Sequence, residues 1–156
     1  MMLALVLTCA KPVTTTTNTP PLSSQPYSGP VVVLPDGYPV KIELATDDET
    51  RAQGLMYRER VPAGTGMLFM FAQAGDYPFW MKNTLVPLDM IWIDAAKKVV
   101  HVAANVPPCK ADPCPSYPPN AEASYVLELG GGEAAKHGVV NGATLTFERL
   151  GNVVLR

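Results

Sequence analysis

Sixteen prolines and twelve glycines are spread along the 156 residues, and they point to short strands and loops rather than long helices. Between them lie short apolar runs. Val31-Val-Val-Leu34 and Tyr38-Pro-Val-Lys-Ile-Glu-Leu-Ala45 flank Pro35-Asp36-Gly37, which predicts a hairpin. In the second arm Val40, Ile42 and Leu44 alternate with Lys41 and Glu43, so one face is expected to be buried. Met67-Leu-Phe-Met-Phe71 is a continuous apolar run and reads as a buried strand, with Phe79-Trp-Met81 and Leu88 to Asp94 as further strands. The turn Asp94-Ala-Ala-Lys97 leads into Lys98 to Val106 as a second hairpin. Ser124 to Leu129 and Ala143 to Glu148 complete the strands.

Two short helices are expected. Asp47 suits an N-cap, followed by acidic Asp48 and Glu49 where the helix dipole favours them. That helix should run to about Met56 and turn Ala52, Leu55 and Met56 inward. Glu133 to His137 forms the second, capped by Gly138. With 47% hydrophobic and 17% charged residues, one core and one domain are the expectation. The fold class is α+β: a compact antiparallel β-rich domain, a bent sheet or partly open barrel, with one or two short helices.

The N-terminal part reads differently. Met1 to Leu7 is apolar and ends in Thr8-Cys9-Ala10, as in the hydrophobic part of a secretory signal with Cys9 where a lipoprotein carries its acylated cysteine. No Lys or Arg precedes the run, and it is far shorter than the roughly 20 residues that span a bilayer. Residues 10–30 are rich in Pro, Thr and Ser and cannot bury enough apolar area to offset their ordering entropy. They read as a tether, and the folded domain is expected over residues 31–156. Cys109 and Cys114 lie in a proline-rich loop, where a disulfide would close a small ring worth ~2 kcal/mol by chain entropy. The spacing is not that of thioredoxin-like redox pairs, and a metal would need ligands beyond His101 and His137, so a structural disulfide is favoured. Export to an oxidising compartment, periplasmic or membrane-anchored through a Cys9 lipid, accounts for both features.

The chemistry-bearing residues cluster at Phe79-Trp-Met-Lys-Asn-Thr84 and Val86-Pro-Leu-Asp89, where an ammonium, an amide, a hydroxyl and a carboxylate sit between apolar aromatic segments. Together with Arg51-Ala-Gln-Gly-Leu-Met-Tyr-Arg58, Gly66 to Phe71, the Cys109/Cys114 loop with Tyr117, Tyr125 to Leu129 and Gly138-Val-Val-Asn-Gly142, this stretch resembles domain of unknown function family 192 over nearly all of residues 38–148. The resemblance implies a compact β-rich domain, often exported, without an established activity. Asn141 departs from the Lys or similar polar residue usual there, in a turn.

Physically, Lys82, Asn83 and Thr84 should occupy an exposed turn, with Asp89 pairing Lys82 or capping the Thr84 backbone. One reading makes this an Asx-type turn and a loop-fixing ion pair. The other makes it a recognition patch for a small polar ligand or glycan, flanked by Trp80 and Trp92. Arg51, Arg58 and Arg60 with Tyr57 form a second candidate, either salt-bridged to the scaffold or an anchor for a carboxylate or phosphate. Glu128 faces solvent or, across the sheet, joins Lys82. An alternative function is an envelope glycan hydrolase using Asp89 and Glu128 as a carboxylate pair; another is a protein-docking domain. No nucleophile elbow, phosphate loop, dinucleotide fingerprint or zinc-protease motif is present, and no cofactor or metal is expected. Met67, Met70, Met81 and Met90 lie in apolar runs and read as core rather than a copper site. With net charge −2 and no basic block, nucleic acid is not an expected partner.

Overall fold

The computed structural model describes residues 27–155, so Cys9 and residues 10–26 of the expected tether lie outside the described residues, while residues 27–30 join the fold, the Pro30 carbonyl accepting from the Ile42 N–H at 3.0 Å. The strands are β1 (Val31–Val33), β2 (Pro39–Ala45), β3 (Thr65–Gly75), β4 (Phe79–Trp80), β5 (Leu88–Ile93), β6 (Val99–Val106), β7 (Ser116–Tyr117), β8 (Ala123–Gly130) and β9 (Thr146–Glu148), with helices α1 (Asp48–Gln53) and α2 (Glu133–Lys136). Seven strands form one curled sheet in the order β6-β5-β8-β3-β2-β1-β9, and β4 pairs with β7 in a small second sheet. The β-rich α+β architecture is as the sequence implies. One pairing differs: β2 and β3 run parallel, because α1 and the loop after it carry the chain back to the start of the sheet.

Both faces of the sheet are covered. On one, Val40, Ile42, Leu68, Met70, Ile91, Leu127 and Leu129 form a core that includes Ala134 of α2. On the other, Met67, Phe69, Met81, Met90, Trp92 and Val126 pack with Leu55 and Ala45. A central strand with two apolar covers has no solvent face, and β8 is buried from Ala123 to Leu129 except for half-buried Tyr125. Met67, Met70, Met81 and Met90 all pack into these cores, Met70 opposite the other three.

Helix α1 begins as expected: Asp47 accepts from the Thr50 N–H at 2.9 Å, and the Thr50 hydroxyl lies 3.3 Å from the Asp47 N–H, closing a capping box. It ends earlier than expected, at Gln53. Gly54 follows at φ 48° and ψ −133°, a conformation open to glycine and costly for other residues. The helix therefore buries none of its residues, Ala52 stays exposed, and only Leu55, beyond the helix, enters the core. Strand β7 has no apolar alternation to announce it. It is placed by the Cys109–Cys114 disulfide loop (Cα–Cα 5.8 Å) and by pairing with β4.

Candidate functional site

Register decides which side chains share a face. Met67, Glu128 and Met90 are directly paired across β3, β8 and β5, and Glu43 of β2 pairs with Met67. Glu128 thus stands in a row of methionines, on the face that packs Phe69 and Trp92. It is 4% exposed, which corrects the solvent-facing alternative. Burial pushes its carboxyl up to about 8, and the nearby Arg58 guanidinium offsets only part of that. At neutral pH Glu128 is therefore mostly the uncharged acid. Among the described residues no hydrogen bond or ion pair reaches its carboxyl.

That carboxyl opens onto a cleft of about 90 Å³ between the end of α1 and β4. Its wall includes Arg51, Phe79, Trp80, Lys82, Thr84 and Glu128. Gly54 also borders it: a Cβ there would stand 3.2 Å from Phe69 Cζ and 3.7 Å from Glu128 Oε2, so the glycine lets the loop pass close to the acid. Trp80 is half exposed, and the Lys82 ammonium lies over its ring, 5.2 Å from the centroid. Thr84 is buried rather than exposed, with its hydroxyl 3.4 Å from the Lys82 carbonyl.

The Lys82-Asn83-Thr84 turn is closed by the Thr84 N–H donating to the Met81 carbonyl. Asn83 adopts φ 55°, which Asn tolerates well. Its side-chain amide donates to the Tyr57 hydroxyl at 2.7 Å, while the Tyr57 N–H donates to the Asn83 carbonyl at 2.8 Å. These two bonds tie the turn to the loop after α1 and so hold the two lips of the cleft together. The sequence reading placed Tyr57 beside the arginines and missed this pairing. Its one legible trace was that Tyr57 and Asn83 both fall within motif segments.

Three expected partnerships are corrected. Asp89 neither pairs Lys82 nor caps Thr84. It is fully buried on the opposite face, paired with Leu129, and accepts from the backbone N–H groups of Asn105 (2.6 Å), Gly132 (3.0 Å) and Ala134 (2.7 Å). It caps α2, whose own N-cap position, Gly132, has no side chain to do so. Because Asp89 and Glu128 project to opposite faces, they are not a carboxylate pair across one substrate, and the glycan-hydrolase alternative loses its machinery. Trp92 does not flank the patch: it is wholly buried, donating its indole N–H to the Tyr77 carbonyl at 2.8 Å.

The arginines serve mainly as braces. Arg58 grips Glu43 through both guanidinium nitrogens, at 2.5 and 2.7 Å, and this bond holds the Glu43 carboxyl below its ordinary range. Arg51 donates to the Met70 carbonyl at 3.0 Å and to Asp48 at 2.8 Å. Arg60 is exposed and lines a different depression with Glu59 and Val61.

Comparison with known proteins agrees with this fold. The family model of DUF192, described as an uncharacterised ACR, matches residues 31–147. A crystal structure from Sinorhizobium meliloti 1021, described only as a candidate transcription regulator, is 33% identical with a TM-score of 0.67, covering 76% of this chain and 91% of that one. A protein of unknown function from Novosphingobium aromaticivorans DSM 12444 is 30% identical with a TM-score of 0.67, covering 75% of this chain and 82% of that one. No curated protein matches the chain. A match over residues 31–147, with the Lys82-Asn83-Thr84 turn and Asp89 at its centre, makes this chain a member of the DUF192 family.

Proposed function

We propose that this protein is an exported cell-envelope binding module whose small polar ligand enters the cleft over Glu128. The observation that carries the reading is the Glu128 carboxyl: buried, without a partner among the described residues, and opening onto a cavity beside an exposed aromatic ring. The carboxyl reaches the cleft rather than being sealed from it, so a ligand there can bond it directly. Trp80 offers a flat apolar face, and Lys82 offers a donor. The Cys109–Cys114 disulfide and the signal-like N-terminus support the envelope location. The regulator description of the Sinorhizobium protein does not transfer readily, because this chain carries a net charge of −2 and no basic block.

The test is a thermal-shift screen of the full chain against envelope glycans, small acids and nucleotides, beside Lys82→Ala. A ligand that raises wild-type melting and fails to do so in the variant is the expected result. Absence of any shift would remove the binding reading and favour protein docking, for which Tyr57, Trp80 and Leu85 are among the exposed large apolar side chains.

A further inference from the structure

Charge bookkeeping at the cleft narrows the ligand class, and this step rests on the binding reading above. Four cations stand on or near the cleft face. Arg58 is answered by Glu43, and Arg51 by Asp48. Lys41, on the outer part of β2, lies over the ring of Tyr27. Lys82 lines the cleft and forms no ion pair among the described residues; its ammonium lies over the Trp80 ring. The acid in the cleft wall is Glu128, which burial leaves protonated at neutral pH. A protonated carboxyl cannot neutralise an ammonium, yet it is a strong hydrogen-bond donor. The cleft therefore presents one uncompensated positive charge and an acid O–H, walled by Phe79 and Trp80.

An amine would meet Lys82 as a like charge. A neutral ligand would cover the Lys82 ammonium without supplying a counter-charge. A single anion meets both demands, and the aromatic walls favour one with a carbon body. We infer that the cleft binds a small organic monocarboxylate, whose carboxylate accepts from the Glu128 carboxyl and the Lys82 ammonium while its carbon body lies on Trp80 and Phe79. The bond between an acid O–H and a carboxylate is charge-assisted, among the shorter and stronger hydrogen bonds available. It makes the Glu128 proton part of the binding site. Glu43 and Arg58 lie behind Glu128 and compensate each other, so across neutral pH the titration that matters is that of Glu128 itself.

The experiment uses two carbon bodies in three charge states: glucuronate, glucose and glucosamine, and benzoate, benzyl alcohol and benzylamine. Binding to the full chain is read by ligand-observed NMR and calorimetry at pH 6.5 and pH 9. The expected result is that an acid member binds at pH 6.5 and weakens about tenfold at pH 9, following the protonated fraction one unit above 8. Glu128→Gln keeps a donor that does not titrate, so it should still bind the acid with a flat pH profile. Glu128→Leu, folded by circular dichroism, should lose it. If the neutral or amine member of a series binds better, the monocarboxylate assignment is overturned and the binding reading stands. If no member of either series binds at millimolar concentration, both fall.

Discussion

Asp89 and Lys82 are seven residues apart in the same motif, yet their surroundings give them opposite kinds of importance. Asp89 accepts from backbone donors on β6, on the glycine turn and in α2, and each of these would be orphaned by its removal. An unsatisfied buried N–H costs about 1–3 kcal/mol, so Asp89→Ala is expected to destabilise the fold by at least about 3 kcal/mol in urea unfolding. Lys82 is exposed and joined to its neighbours by a ring contact, so Lys82→Ala should cost under about 0.5 kcal/mol while changing what the cleft binds. Equal losses in the two variants would contradict the separation of scaffold from site. The residue types were legible in the sequence as an unusual polar group between apolar segments. Their division of labour was not, because Asp89 finds its partners 16, 43 and 45 positions away.

At the scale of elements, the small β4–β7 sheet links the disulfide to the cleft. Trp80 in β4 pairs with Ser116 in β7, two residues beyond Cys114. The disulfide closes a short loop, and its loss removes only ~2 kcal/mol of chain-entropy stabilisation, too little to unfold a domain with a covered seven-stranded sheet. Reduction is therefore expected to speed hydrogen exchange in residues 107–119 and shift Trp80 fluorescence, with exchange in β8 unchanged. Exchange rising across the whole sheet would show that the loop braces the main core. Hairpins β1–β2 and β5–β6 were readable from alternation and turn residues, since they are local pairings. The parallel β2–β3 pair was not, because a helix and loop intervene and no local pattern encodes the direction of return. Helix α1 stopped short of its predicted end for a local reason that was visible: Gly54 interrupts it.

For the whole molecule, Glu128 sets how stability depends on pH. Unfolded, the carboxyl titrates near its ordinary value of 4.5; folded, it keeps its proton to about 8. Between those values the unfolded chain binds fewer protons than the fold, so this group's contribution to stability falls as pH rises from about 4.5 to about 8 and then levels off. Glu128→Gln removes that dependence. Its melting temperature should match wild type near pH 4.5 and exceed it by at least about 5 °C at pH 8.5. A constant offset between the two proteins across that range would mean that Glu128 ionises freely in the fold. The same desolvation that imposes this cost keeps the acid protonated for the proposed ligand, the conflict between stability and use that the binding proposal entails.

Composition, alternation and punctuation settled a β-rich fold, its local hairpins, its short helices and the segment where polar chemistry gathers, because each of these depends on residues close in sequence. The face on which each polar residue lies was decided by register between distant strands. That register buried Asp89 under α2, set Glu128 among methionines and left Lys82 at the rim, since in a sheet covered on both sides a shift of one residue exchanges one core for the other.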